Sequence, residues 1–127
     1  LDGEITAESL TRALIARIEA LEPGIQAWEW LDAGRAVAAA RLADLRRARG
    51  VASDDPARVL PVEEQGLLPG VPIAVKDIVD VAGMPTRMGS PVYRDHWPHD
   101  SARPWTSLAE SGAVAMGKTV TTEFAFM

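Results

Sequence analysis

Lys76 is the residue of this chain whose type and setting most favour chemistry. It ends an apolar run, Val71 to Val75, that follows Gly70 and precedes Asp77. A short uninterrupted apolar run beside Gly and Pro predicts a strand that is buried on both faces. Burial disfavours the charged form of a lysine, and a neutral amine can accept a proton from a hydroxyl. Lys76 is therefore a candidate general base. From residue chemistry alone the alternative is favoured, which is a lysine that reaches solvent or pairs with an acid.

Two other segments match known functional motifs in sequence but not in their predicted secondary structure. Gly112 to Thr119 fits the phosphate-loop pattern G-x-x-x-x-G-K-T, but that loop needs a strand before the first glycine and a helix at the lysine. Here a helix is predicted before Gly112 and a strand after it. Asp95 to Asp100 holds two imidazoles and two carboxylates, but Pro98 interrupts any helical face. We therefore expect no phosphate loop, no metal and no cofactor.

The N-terminal half is predicted to be mainly helical. Thr6 is a candidate N-cap for a first helix that ends at Pro23-Gly24. Its apolar stripe has helical spacing and consists of Leu10, Leu14, Ile18 and Leu21. Ile25 to Leu31 is predicted to be extended, with Trp28 and Trp30 on one face.

Asp32 is expected to cap a second helix, rich in alanine and arginine, that stops at Gly50. Val51 to Pro69 carries several prolines and acids without periodicity, which predicts a surface loop.

The region after Lys76 is predicted to add strands around one helix. Ile78 to Val81 is predicted to be a strand and Ala82 to Ser90 a loop. An ordinary turn is the favoured interpretation of this loop, and a pocket lined by the Thr86 and Ser90 hydroxyls is the alternative. Asp100 or Ser101 is expected to cap a helix from about residue 103 to 111. Ala113 to Met116 follows as a second buried strand, before a β-branched and aromatic stretch, residues 119 to 126. Strand, helix and strand in this order predict a crossover unit of an α/β sheet.

Composition limits the classes of function. The 127 residues are 47% hydrophobic and 24% charged, contain no cysteine and carry a net charge of −5. These values predict one ordinary globular domain and argue against nucleic-acid or membrane partners. The lack of cysteine excludes a disulfide or a thiolate nucleophile within these residues. We expect a cytoplasmic protein without a membrane span or signal peptide.

Three ordered blocks carry a resemblance to a known family. They are Gly70 to Asp77, the stretch Pro85 to Ser90, and Ser101 to Ala125, which ends in Gly-Lys-Thr-Val-Thr-Thr-Glu-Phe-Ala. Together they resemble the amidase signature hydrolases, with wording closest to the small-amide, malonamidase-like members. The resemblance implies an α/β fold with a mixed twisted sheet between helices. Residues 1–127 would be the N-terminal portion of one such domain: a helical region (1–50), a loop (51–69) and the start of the core (70–127).

The resemblance also implies a catalytic set of a serine, a second serine in a cis peptide, and a lysine. Lys76 matches the lysine, whereas Lys118 does not, and Asp77 is expected to be structural. Ser90, Phe126 and Met127 are candidate substrate-binding residues. The expected reaction is hydrolysis of a small-molecule amide without a cofactor, which would make the parent protein an amidase.

The two family serines belong to a Gly- and Ser-rich segment that residues 1–127 do not contain. We therefore expect this chain to be part of a larger enzyme, inactive alone, and to self-associate or bind a complementing chain. The alternatives are the amidase subunit of a tRNA-dependent amidotransferase and, from another class, a truncated, non-catalytic assembly module.

Overall fold

A small mixed sheet organises the chain, with its strands in the order β1–β3–β2. The computed structural model describes residues 5–51, with side chains up to residue 48, and residues 66–126. The elements are α1 (Ala7–Ile25), β1 (Trp28–Leu31), α2 (Ala33–Val51), β2 (Pro72–Lys76), α3 (Arg103–Glu110) and β3 (Val114–Thr119). Short 3-10 turns lie at Pro91–Tyr93 and Glu123–Ala125. The predicted α/β class is confirmed.

β3 is the central strand of this sheet. It pairs antiparallel with β1 and parallel with β2. The chain leaves β2 and returns to β3 through α3, so the predicted crossover unit is confirmed. In the parallel pair, Val75 lies opposite Lys118 and Lys76 opposite Thr119. This register decides where both lysine side chains point.

Apolar side chains form one cluster on each face of the sheet, because successive residues of a strand point to opposite faces. Ala115 belongs to a cluster with Val75, Val81, Met84 and Trp105. Met116, the next residue, packs instead with Ile15 of α1 and Ala36 of α2. Helices therefore cover both faces of β3, as expected for a sheet between helical layers.

Two predicted helix caps are confirmed. The Thr6 Oγ1 accepts a hydrogen bond from the Ser9 amide at 3.0 Å, and the Ser9 hydroxyl accepts from the Thr6 amide at 3.1 Å. At the start of α2, Asp32 Oδ1 accepts from the Arg35 amide at 2.9 Å. Each cap satisfies amides that have no partner inside the helix.

The predicted ends of the first two helices need correction. α1 continues through Pro23 to Ile25 and ends at Gln26, whose backbone is left-handed (φ 55°) and whose amide donates to the Glu22 carbonyl at 2.9 Å. A left-handed residue can terminate a helix without a glycine. α2 ends at Val51, one residue later than predicted. Residues 52–65 of the predicted loop lie outside the described residues.

Trp28 and Trp30 do not pack on one face of β1 as predicted. The pairing with β3 shifts between them, because Trp28 lies opposite Thr119 and Trp30 opposite the adjacent Lys118. Trp28 packs with the Met116 cluster and Trp30 with the Ala115 cluster. The intervening Glu29 makes a β-bulge, which reorients the strand at that point.

The segment from Ile78 to Val81 forms turns, although a strand was predicted. The amides of Ile78 and Val79 both donate to the Lys76 carbonyl, at 2.8 and 3.0 Å, so they fold back instead of joining a ladder. β3 likewise ends at Thr119, and the β-branched stretch after it leads into a 3-10 turn.

Neither Asp100 nor Ser101 caps α3. The helix begins after Ala102, which makes no side-chain cap, and ends at Glu110. The Ser101 hydroxyl accepts a hydrogen bond from the Ala82 amide at 2.9 Å instead. It therefore holds the loop that follows β2.

Candidate functional site

Lys76 lies at the carboxyl end of β2, and its side chain is exposed. The buried environment considered for Lys76 is not found among the described residues, and its side chain reaches solvent, as in the alternative. In the described part of the chain β2 has a strand neighbour on one side only, which is β3. Val75 and Asp77 are buried and Lys76 between them is not, as expected for alternating side chains at a strand end.

Lys118, on β3, is the lysine that is buried. Its side chain is 0% exposed, and its ammonium lies 2.8 Å from Thr86 Oγ1, 3.1 Å from the Pro85 carbonyl and 3.3 Å from Asp77 Oδ1. An ammonium has three donors and no acceptor. These three partners match its donors, so Lys118 is held in place inside the protein.

The electrostatics of Lys118 combine two opposed effects. Loss of hydration on burial lowers the pKa of the Lys118 ammonium below its ordinary value, while the nearby Asp77 charge and hydrogen bond oppose that shift. A weaker opposing contribution comes from the charge of Asp80. Desolvation is the larger effect.

Asp77 connects this buried network to the backbone beside Lys76. Both carboxylate oxygens accept from the Arg87 amide, at 3.2 and 3.1 Å. Its own amide donates to the Thr119 carbonyl, and its carbonyl accepts from the Met88 amide, both at 3.0 Å. Asp77 is fully buried. The structural role expected for this residue fits these contacts, and its connection to Lys118 was missed.

The loops after β2 and after β3 meet at the carboxyl ends of these strands. The Phe124 amide donates to the Met88 carbonyl at 2.8 Å, and the Phe124 and Tyr93 rings meet edge to face, 5.8 Å between centroids. Gly89 has φ +64°, and a Cβ there would lie 2.6 Å from the Thr121 carbonyl oxygen. A residue with a side chain would therefore separate the two loops.

The predicted substrate-binding residues lie on these loops. Ser90 is buried, and its hydroxyl donates to Glu123 Oε1 at 2.7 Å. Phe126 is 83% exposed, which leaves its ring available for contact. Met127 lies outside the described residues. Thr121, near Gly89, has a buried hydroxyl for which the described residues provide no hydrogen-bond partner.

The match of Gly112 to Thr119 to the phosphate-loop pattern has another physical explanation. Val114–Thr119 is strand β3, so the residues that would cradle a phosphate pair with β1 and β2. A Cβ at Gly117 would collide with the Trp30 carbonyl oxygen. The glycine of Gly-Lys-Thr therefore allows close approach of two strands.

Most of Asp95 to Asp100 is exposed, and Pro98 within it is buried. The His99 imidazole approaches Asp100 at 3.2 Å, and His96 lies 4.0 Å from Asp80. Among residues 5–51 and 66–126, no group of three or more His, Cys, Asp or Glu is arranged to hold a metal ion.

Concave surfaces also occur away from Lys76. An open groove of about 790 Å³ lies between the end of α1 and β1 and is lined by residues that include Glu22, Trp28 and Val120. Lys76 does not line this groove. None of the helices within residues 5–51 and 66–126 combines the length and the hydrophobicity that a bilayer span requires.

Comparisons with known proteins identify the family. The Amidase family model matches residues 9–127. The A subunit of the glutamyl-tRNA(Gln) amidotransferase of Chloroflexus aurantiacus is 41% identical over 123 residues, which cover 97% of this chain and 23% of that protein. The corresponding protein of Acidothermus cellulolyticus, with the same name, is 38% identical, with 96% and 22% covered.

Among solved structures, native peptide amidase from Stenotrophomonas maltophilia superposes with a TM-score of 0.80 at 32% identity. The match covers 96% of this chain and 23% of that enzyme. The chain therefore belongs to the Amidase family, as its ordered sequence blocks predicted. It spans about a quarter of the length of these relatives.

Proposed function

We propose that this chain supplies the catalytic lysine, Lys76, of an enzyme that hydrolyses carboxylic amides to an acid and ammonia or an amine. The observation that carries the proposal is the position of Lys76 in a chain of the Amidase family. Its exposed side chain lies at the carboxyl end of β2, beside the end of the parallel strand β3. Ligands of α/β sheets commonly bind at the carboxyl ends of parallel strands.

In the proposed reaction Lys76 acts as the base for two serines outside residues 1–127. The neutral amine accepts a proton from the bridging serine, which accepts the proton of the nucleophilic serine. The nucleophile attacks the amide carbon, the C–N bond breaks, and the leaving nitrogen takes up a proton. Water then hydrolyses the acyl-serine ester and releases the acid. A serine hydroxyl is a weak nucleophile until a base activates it.

The contrast between the two lysines supports the choice of Lys76. The Lys118 ammonium already donates to three protein oxygens and is shielded from solvent. The Lys76 side chain is exposed among the described residues. Of the two lysines, Lys76 is therefore the one that can approach groups contributed from outside these residues.

The test uses a complete amidase signature enzyme that contains this chain. We expect Lys76→Ala to lower kcat/KM for amide hydrolysis by about 10³-fold, within the range typical of losing a general base. Arg17→Ala removes an exposed cation of α1 and is the matched control. It should stay within about twofold of the parent enzyme, because isolated surface substitutions have small effects. Full activity in Lys76→Ala would refute the assignment.

A second candidate is the amidase subunit of a tRNA-dependent amidotransferase. The names of the relatives that are 41% and 38% identical favour it. In that case ammonia released from glutamine would pass to another subunit, and the lysine chemistry would be the same. Ammonia release that rises with glutamyl-tRNA(Gln) and partner subunits, together with an amidated tRNA product, would favour this candidate. Turnover of simple amides without them would favour the free amidase.

The proposal also includes a partner for this chain and a cytoplasmic setting. The large apolar residues Leu67, Val92, Trp97 and Phe126 are each more than half exposed, and exposed apolar residues mark contact sites where they form a contiguous patch. We propose that a complementing chain or a second copy covers some of these residues. Sedimentation of the chain alone should therefore reveal association. The assembly module would be favoured instead if this chain forms a defined oligomer and the complete enzyme keeps its activity in Lys76→Ala.

A further inference from the structure

The proposed proton transfers use Lys76 and leave a buried polar network unexplained. This network, which we call the Asp77 cluster, consists of Asp77, Thr86 and Lys118. All three side chains are 0% exposed. Charged residues are seldom fully buried unless they are paired.

Stability alone is a weak reason for this arrangement. The attraction within a buried ion pair is largely offset by the lost hydration of both charges, and well-packed apolar residues often serve as well. The hydrogen-bond geometry of the Asp77 cluster is, however, highly constrained. Lys118 donates to Thr86, Pro85 and Asp77, and the Asp77 carboxylate also accepts from the Arg87 amide. Such a network fixes the positions of its members.

The Asp77 cluster reaches Lys76 through the backbone. Asp77 is the next residue, and its amide and carbonyl are bonded to Thr119 and to Met88. Its side chain points into the protein while that of Lys76 points out. The Cα atom from which Lys76 projects is therefore anchored about 3.8 Å from a fully bonded neighbour.

We propose that Asp77, Thr86 and Lys118 are positioning residues for Lys76. This inference rests on the proposed catalytic function of Lys76. The cluster holds the end of β2 so that only the side-chain torsions of Lys76 remain to be aligned with the bridging serine. A misplacement of about 1 Å in a catalytic group can cost about 100-fold in rate. The cluster itself touches neither substrate nor reacting atoms.

The experiment measures kcat and KM in the complete enzyme that contains this chain, in the parent and in a Lys76→Ala background. Asp77→Asn removes the charge while keeping the shape, and Thr86→Val removes the hydroxyl that receives the Lys118 hydrogen bond. Each should lower kcat by about 10- to 100-fold, with KM changed by less than about threefold. In the Lys76→Ala background neither should lower the residual rate by more than about twofold, because the group they position is already absent.

Two control variants separate positioning from folding. Thr86→Ser keeps the hydroxyl and should retain kcat within about threefold of the parent, whereas Thr86→Val should not. Glu8→Gln neutralises a carboxylate bound to Arg12 and Arg41 between α1 and α2, and its kcat should be unchanged. If Asp77→Asn does not fold, as judged by circular dichroism, the Thr86 pair decides the question.

The outcomes distinguish the two proposals. Full activity in Lys76→Ala refutes the proposed function and the positioning role with it. If Lys76→Ala is impaired but Asp77→Asn and Thr86→Val lower the rate equally in both backgrounds, the positioning role alone is wrong. Unchanged kcat in folded Thr86→Val also overturns it.

Discussion

The chain contains two lysines, and their neighbouring strands place them in opposite environments. Lys118 lies opposite Val75, and Lys76 lies opposite Thr119, one residue further along. Side chains of directly paired residues share a face of the sheet, and the next pair points to the other face. An offset of one residue thus separates a lysine buried with Asp77 from a lysine exposed at a strand end. The register of β2 and β3, more than residue type, therefore determines the different environments of the two lysines.

The largest expected effect comes from removing each lysine charge in turn. Lys118→Met leaves Asp77 buried without its cation and should lower the free energy of unfolding of the chain by about 3 kcal/mol or more. Lys76→Met changes an exposed side chain and should shift it by less than about 0.5 kcal/mol. Urea unfolding at neutral pH measures both.

The double variant Asp77→Leu, Lys118→Met provides the control for that prediction. It removes both charges, so most of the stability lost in Lys118→Met should return. Equal effects of Lys76→Met and Lys118→Met would remove the distinction between the two lysines.

A glycine comparison tests the packing that buries Lys118. In Gly117→Ala the new methyl group would collide with the Trp30 carbonyl oxygen, which should cost about 3 kcal/mol through strain between β1 and β3. At Gly24, in the last turn of α1, a new methyl group would meet no atom within 4 Å apart from its chain neighbours and the backbone of its own helix. Gly24→Ala should therefore be neutral or stabilising by up to about 1 kcal/mol.

Thermal or urea unfolding of both glycine variants decides the outcome. A Gly117→Ala protein as stable as Gly24→Ala would mean that β1 does not approach β3 as described.

The smallest effect is a pH dependence that belongs to Lys118. Because burial lowers the pKa of Lys118 in the folded chain, the unfolded chain binds more protons between that lowered pKa and the ordinary lysine value. The free energy of unfolding should therefore rise with pH through this window and level off at about 10.4.

Urea unfolding at several alkaline pH values measures this slope. The slope should persist in Lys76→Met, which leaves the Asp77 cluster intact, and disappear in Lys118→Met. If the slope instead persists in Lys118→Met and disappears in Lys76→Met, the pH dependence belongs to Lys76 and the assignment is wrong.

Much of the fold could be predicted because its signals are local. The Thr6 and Asp32 caps, and the order strand, helix, strand, depend on nearby residues. Which of the two lysines is buried could not be predicted from the sequence. The apolar runs near them, Val71 to Val75 and Ala113 to Met116, are of similar length. Which strand becomes central depends on pairing with β1, more than 80 residues from β3 in the sequence. Strand pairing between distant residues therefore determines which lysine is buried, and the apolar pattern alone does not.

The candidate site was predicted from sequence only in part. Lys76 and Ser90 lie at the strand ends and loops expected for them, but nothing local indicated that Thr86 and Asp77 would meet Lys118. That contact forms because the loop after β2 folds back, with the Met88 amide on the Asp77 carbonyl. Both lysines end an apolar stretch, so no local signal singled out Lys118 as the lysine that needs a buried partner.

The opposite environments of the two lysines can be measured by competitive labelling of their amines with an acylating reagent, quantified by peptide mass spectrometry. In the native chain Lys118 should react at least about 100-fold more slowly than Lys76, because reaction at Lys118 requires local opening of the structure. In concentrated urea the two rates should converge. Similar rates in the native chain, or protection of Lys76 instead of Lys118, would contradict the assignment of an exposed catalytic lysine held in place by a buried one.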